Sequence, residues 1–249
     1  MGLTLTVLGC SGTYAGPGNA CSGYLVRSDA TTVWLDCGPG TLANLQQHVE
    51  LVDVDALVIS HSHPDHWLEL PVVRNALRYA LGREGLAVYG TAETRGRAED
   101  LCGGELAPTL VWTDINDGAS ATIGDVVWSF SRTDHPVETL AARIDHGDRS
   151  MGYTADTGAH WRLSTLSPMG RGGVLDAVLC EATLPVDQRD AMQHMTAVQA
   201  GEQATEAGVA RLLLTHLVPG SDAERRRSEA ASTFAGPVDV VTVGTTYSL

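Results

Sequence analysis

The chain has 249 residues, 43% of them hydrophobic, with a mean hydropathy near zero, which is enough for one large α/β domain spanning residues 1–249. Sixteen basic residues against thirty acidic ones give a formal charge of −14, which argues against an extended nucleic-acid footprint and against a membrane surface as partner. An aromatic fraction of 5% and 27 glycines point to a core of Val, Leu, Ala and Ile crossed by many tight turns.

In chain order, short β-branched runs predict strands over 3–8, 24–27 and 32–35, followed by a helix over 41–48. A strand over 56–59 precedes helices over 70–81 and 92–101. Four strands then follow, over 126–130, 139–144, 151–154 and 177–179. A helix over 197–207, a strand over 212–215, a helix over 222–234 and a strand over 238–243 complete the chain. The second half thus repeats the scheme of the first, which predicts sheets stacked face to face with helices outside, an α/β layered sandwich. The opening residues have no basic stretch and run from an apolar strand into Gly9-Cys10-Ser11-Gly12, unlike a signal peptide. The apolar run over 51–59 is broken by Asp53 and Asp55, well short of a membrane span. A cytoplasmic protein is expected. The cysteines, Cys10, Cys21, Cys37, Cys102 and Cys180, lack the paired spacings of a disulfide framework or a zinc knuckle. Arg225-Arg226-Arg227, interleaved with Asp222, Glu224 and Glu229, reads as a solvated helix face.

The strongest signal is His61-Ser62-His63-Pro64-Asp65-His66, which puts four candidate metal ligands within six residues, directly after a buried strand. His61 and His63, two apart in extended backbone, can aim at one point, and Asp65 and His66 can turn toward a second. A polar loop with incidental histidines is the bland alternative, but it must gather three of the nine histidines into six residues. Further ligands are sought at other strand ends, where His135, Asp156 and His216 each follow an apolar run. Alone, each reads equally as a loop histidine, a turn residue or an N-cap. Together they repeat one pattern, strand and then ligand.

His-x-His-x-Asp-His followed by His, Asp and His at successive strand ends resembles the metallo-β-lactamase superfamily. Leu8-Gly9-Cys10-Ser11-Gly12, Tyr24-Leu25-Val26 and Leu35-Asp36-Cys37-Gly38 extend the likeness over nearly the whole chain. The resemblance implies a four-layer αββα sandwich with two Zn2+ ions, Mn2+ or Fe2+ being alternatives. One ion would be held by His61, His63 and His135, the other by Asp65, His66 and His216, with Asp156 bridging; Asp65 counts among the catalytic residues as well. True β-lactamases place Cys where this chain has Asp156, so the carboxylate resembles the hydrolase and phosphodiesterase branches.

Leu179-Cys180-Glu181-Ala182-Thr183 and His194-Met195-Thr196 look like the acid-assisting pair of the tRNA 3′-processing endonucleases and their small relatives. A His with a carboxylate partner is what leaving-group protonation requires; the bland alternative makes Glu181 a strand terminus and His194 a helix start. Only twenty residues separate His135 from Asp156, which leaves no room for the tRNA-binding arm of those enzymes. The implied activity is therefore hydrolysis of a small cyclic nucleotide or similar phosphodiester, by a hydroxide shared between the ions, with His194 and Glu181 as the leaving-group acid. The resemblance also implies a homodimer. Extended nucleic acid and membrane are not expected partners, and the alternatives are an armless tRNA 3′-end endonuclease or a non-catalytic metal-binding scaffold. Trp67 reads as core packing or as a stacking wall for a base. Asp36 and Asp134 read as acceptors for ligand imidazoles or as turn residues. The glycine-rich stretch 9–23 fits no nucleotide loop and reads as a hairpin loop near the site.

Overall fold

The computed structural model describes residues 2–168 and 172–249. Fourteen strands form two seven-stranded mixed sheets among the described residues. The first sheet contains β1 (Thr4–Gly9), β2 (Gly23–Arg27), β3 (Thr32–Cys37), β4 (Ala56–Val58), β5 (Leu86–Gly90) and β6 (Leu110–Asp114), with β14 (Thr246–Ser248) along its outer edge beside β1. The second runs in the order β13 (Val238–Val240), β12 (Leu212–Thr215), β11 (Ala177–Glu181), β10 (Arg149–Tyr153), β9 (Leu140–His146), β8 (Val126–Arg132), β7 (Ser120–Ile123). In each sheet an antiparallel meander passes into parallel strands: β3, β4, β5 and β6 in the first, β10, β11, β12 and β13 in the second.

Alternation along the strands assigns the layers. Val33 and Leu35 of β3 enter the core between the sheets, where they meet Trp128, Phe130, Ile144 and Tyr153 of the second sheet. Trp34, between them, faces the opposite way into an outer core with Leu57, Leu70, Val73 and Leu77, as the two-residue period of a strand requires. On the far side Val178, Cys180, Leu212 and Leu214 pack against Ala200 and Ala204 of a covering helix. Three apolar clusters separate four layers, helix, sheet, sheet and helix, which is the metallo-β-lactamase fold.

The outer layers are α1 (Thr41–Leu45), α2 (Pro64–Trp67), α3 (Leu70–Asn75) and α4 (Ala92–Cys102) on the first sheet, and α5 (Ala197–Ala207) and α6 (Ala223–Ala231) on the second. Thr196 starts α5 with a reciprocal capping box to Gln199, satisfying two otherwise orphaned donors. The helix expected over 70–81 is α3 continued as a π-helical stretch, Ala76–Leu81, and ended by Gly82 in the left-handed conformation. The helix expected over 41–48 is only Thr41–Leu45, and the strand expected over 238–243 stops at Val240. Four strands escape the sequence reading. β6, β7 and β14 are sheet edges, half wetted and short, so they carry no apolar alternation. β5 is an inner strand whose partly exposed Ala87 and Tyr89 blur its pattern. No helix among the described residues is long and apolar enough to cross a membrane.

Candidate metal centre

The second sheet delivers most of the site through one edge. Strands β10, β11 and β12 run parallel, and β8 runs the same way, being separated from β10 by the antiparallel β9. Their carboxyl ends therefore share a rim, and Asp156, Glu181, His216 and His135 follow or terminate them there. The first sheet supplies the rest through β4. Beyond it the backbone is still extended at His63 (φ −72°, ψ 140°), and Pro64 at the first helical turn starts α2, so Asp65 and His66 swing to a different side. A hydrogen bond from the Leu140 amide to the Ser60 carbonyl (3.1 Å) ties the two rims together.

The seven candidate ligands converge. His63 Nδ1 lies 3.0 Å from His135 Nε2, and His61 Nε2 and His135 Nε2 lie 3.7 and 3.9 Å from Asp156 Oδ2. On the other side His66 Nε2 and His216 Nε2 are 3.2 Å apart, with Asp65 Oδ2 at 3.2 Å from His216 Nε2. Asp156 Oδ1 faces this second group at 3.4 Å from His66 and 3.3 Å from His216. The two oxygens of one carboxylate thus divide between two clusters, His61, His63, His135 and Asp65, His66, His216.

These residues fit a pair of divalent ions. Two donors each about 2.0–2.1 Å from one tetrahedral ion lie about 3.3–3.4 Å apart, and the separations here, from 3.0 to 3.9 Å, bracket that value. His61 Nε2 and Asp156 Oδ1 are buried without a hydrogen-bond partner, a costly state for polar atoms that have no ligand to meet. The charges agree. Burial pulls His66 toward neutrality, yet Asp156, Asp65 and Asp36 override it and raise its pKa well above the ordinary imidazole value. Burial opposes ionisation of Asp156, and His216 and His66 overcome it, holding the carboxyl well below the usual range. Desolvation, reinforced by His66, keeps His61 neutral and able to offer a lone pair. Three carboxylates turned on one buried imidazole are an arrangement that a cation completes.

The ligands are themselves oriented. Asp36 accepts from His66 Nδ1 (2.7 Å), Ser60 Oγ (2.9 Å) and N (2.8 Å), and Tyr153 OH (2.7 Å). His135 Nδ1 donates to the Gln193 carbonyl at 3.1 Å, and the Thr13 amide donates to Asp65 Oδ2 at 2.8 Å. His216 Nδ1 donates to Thr183 Oγ1 (2.8 Å), whose own proton goes to Glu181 Oε2 (2.7 Å). Glu181 is buried and also accepts from the Thr157, Thr183 and Met195 amides and from His194 Nδ1 at 2.8 Å. Burial works against charge on His194, and the Glu181 carboxylate outweighs it, pushing the imidazole pKa up to about 9. His194 is partly exposed, 15% accessible at its side chain.

The backbone is strained where it serves the site. Among the described residues, Thr13, Asp36, Ala155, Asp190 and His216 are the non-glycine residues at positive φ; four of them lie at or beside the ligands, at about 1–3 kcal/mol each. Gly38 permits a close passage, since a Cβ there would stand 1.9 Å from the Asp65 carbonyl oxygen.

The structure thus gathers His61, His63, Asp65, His66, His135, Asp156 and His216, with His194 and Glu181 alongside. Asp36 accepts from a ligand imidazole as the sequence suggested, but Asp134 does not: its carboxylate meets the Gln193 amide, and His135 uses a backbone carbonyl instead. Trp67 is no stacking wall; it is 4% exposed in the outer core and donates to the Ser62 carbonyl. The loop over 9–23 does approach the centre, through Thr13. The sequence reading missed Thr183, Tyr153 and Ser60. Thr183 was within reach, because it stands two residues beyond Glu181 and so on the same side of an extended segment.

Comparison with known proteins agrees with this architecture. The family described as "Beta-lactamase superfamily domain" matches residues 31–217. The chain is 29% identical to the probable metallo-hydrolase YhfI of Bacillus subtilis, over 97% of this chain and 98% of that one. The crystal structure of YhfI superposes with a TM-score of 0.89, covering 98% of both chains. A Ribonuclease Z of Methanopyrus kandleri is 30% identical over 96% of this chain and 95% of its own. A diphosphatase from the PhnP family, at 18% identity and a TM-score of 0.78, covering 100% of this chain and 98% of its own, shares the fold.

Proposed function

The chain belongs to the β-lactamase superfamily and carries the His/Asp set of its metallo-hydrolases, and from that premise we propose that it is a phosphodiesterase for a small cyclic nucleotide or similar diester. The observation that carries this reading is the His194–Glu181 pair at 2.8 Å, whose imidazole lies within 4.8 Å of ligand atoms of Asp156 and His216. A phosphodiester expels an alkoxide, a poor leaving group that needs a proton; thioester cleavage makes no such demand.

His61, His63 and His135 would hold one divalent ion and Asp65, His66 and His216 another, with Asp156 facing both groups, and such ions would supply Lewis acidity and acidify water toward neutral pH. The chain's own residues do the remainder. Asp36, Ser60, Thr183 and the Gln193 carbonyl fix the imidazole tautomers, so that each ligand offers a lone pair without rearrangement. Glu181 occupies His194 Nδ1, which leaves Nε2 to give its proton to the departing oxygen. The elevated pKa keeps that proton in place at neutral pH.

Substrate size is limited by the segment between His135 and Asp156, which is spent on the β9–β10 hairpin, its strands paired in register from Arg149↔His146 to Tyr153↔Ala142. This supports a small diester over a folded RNA. The test is turnover of 2′,3′- and 3′,5′-cyclic nucleotides with zinc or manganese added. Thioester or lactone cleavage without diester turnover would overturn the proposal. A second reading, an armless tRNA 3′-end endonuclease, draws on the Ribonuclease Z relative; precursor-tRNA cleavage at low enzyme concentration would establish it.

A further inference from the structure

Against the chain neighbours of His135, Asp156 and His194 lies a cavity of about 240 Å³. Its walls come from three segments, and each segment also carries a site residue: Asp134 precedes His135, Gly158 follows Asp156 by two positions, and Met192 and Gln193 precede His194. The segments are fastened to one another by the His135 bond to the Gln193 carbonyl, by the Gly158 amide on the Asp134 carbonyl (2.7 Å) and by Gln193 Nε2 on Asp134 Oδ1 (3.4 Å). Gly158 is required for this closeness, because a Cβ there would stand 2.4 Å from Asp134 Oδ2.

The size and lining of the cavity select its occupant. It falls below the roughly 300–1,000 Å³ of clefts for drug-sized ligands, so it admits a single ring system and no chain of nucleotides. Asp134 and Asp190 line it along with His160; Asp190 is paired with Arg189 outside the lining at 3.8 Å, and the lining itself includes no basic side chain except that imidazole. A second phosphate finds no guanidinium or ammonium in the lining and meets the Asp134 carboxylate, so an uncharged group bearing N–H donors is favoured. Met192, 57% exposed, offers a polarisable apolar surface for a ring face.

We propose that this cavity is the base subsite of the phosphodiesterase, selecting nucleobases with an exocyclic amino group, which donates to Asp134. This inference rests on the proposed function and deepens it. A base with hydrogen in place of the amino group would leave the carboxylate without that donor. A site built to accept a hydrogen bond rejects the analogue lacking the donor.

The test compares kcat/KM for the 3′,5′-cyclic monophosphates of adenosine and of purine riboside, which lacks only the amino group, and adds a base-free sugar cyclic phosphate. The expected result is a preference of about tenfold or more for the adenosine compound, reduced to near unity in Asp134→Asn at unchanged metal content. Because Asp134 adjoins His135, the exposed Met192→Ala serves as a second variant; it is expected to raise KM for both nucleotides severalfold. Equal turnover of the adenosine and purine riboside compounds by the unsubstituted protein, or a preference that survives Asp134→Asn, would overturn the subsite. Turnover of the base-free phosphate alongside either result shows that only the subsite has failed. Absence of turnover on every diester removes the phosphodiesterase reading and the subsite with it.

Discussion

Replacing Thr183 with Val keeps the side-chain shape and deletes one oxygen that serves two bonds: it accepts from His216 Nδ1 at 2.8 Å and donates to Glu181 Oε2 at 2.7 Å. The direction of this chain is fixed by its end, since a carboxylate only accepts. His216 must therefore carry its proton on Nδ1 and present Nε2 to Asp65 and Asp156. His216 is 3% exposed, so its Nδ1–H finds no water in exchange, and stranding it costs about 1–3 kcal/mol. Losing such a support to a metal-binding histidine weakens the metal by about 10–100-fold, or about 1.4–2.7 kcal/mol at 1.36 kcal/mol per decade. The assay is competition between the protein and a chelating indicator for zinc, with Thr183→Ser alongside. The serine variant keeps the hydroxyl and is expected to bind within a few-fold of the unsubstituted chain. Tight binding by both variants would refute the argument that Thr183 orients His216.

Glu181→Gln removes the charge that holds the His194 pKa near 9. The acid is competent below its pKa, so the alkaline limb of the kcat/KM profile moves to lower pH in the variant; an unmoved limb contradicts the pairing. His194→Ala leaves the ligands untouched and is expected to slow diester hydrolysis by about 10²–10⁴-fold while elemental analysis finds the metal content unchanged. Gly38→Ala forces a Cβ to within 1.9 Å of the Asp65 carbonyl oxygen, which is backbone and cannot swing aside. A loss of about 1–3 kcal/mol or more is expected in denaturant unfolding, together with weaker metal binding.

Much of the site could be read from the sequence because metal ligands of this kind follow strands that are themselves legible. His135 and His216 stand within three residues of the valine-rich β8 and the leucine-rich β12, whose burial leaves a clear apolar signal, and Asp156 stands three residues beyond β10, whose Arg-Ser-Met-Gly-Tyr run is weaker but buried from Ser150 onward. The His61–His66 cluster is local and needed no fold to be noticed. What escaped are features created by convergence. Tyr153 lies 117 positions from the Asp36 to which it donates, and nothing about a tyrosine within a strand marks it as a support for a histidine. Asp134 was left open between an imidazole acceptor and a turn residue for the same reason: adjacency to His135 in the chain says nothing of where the ring nitrogen points, and the Gln193 carbonyl, 58 positions away, takes that bond. Trp67 followed the ligands so closely that a role in the site was open, yet the first turn of α2 carries it inward, to the outer core. In the fold, the central strands other than β5 were legible, and of the edges only β13 was. A wetted edge such as β7, with one buried residue in four, spreads too little apolar surface for its period to be seen.

Asp156 carries the most weight in the account, because its two oxygens face separate clusters. Elemental analysis after saturation with zinc and exhaustive dialysis tests this directly, on the unsubstituted chain and on Asp156→Ala. About two ions per chain in the former and close to none in the latter are expected. A chain that retains no metal, or an Asp156→Ala variant that keeps its full complement, would contradict the centre described above.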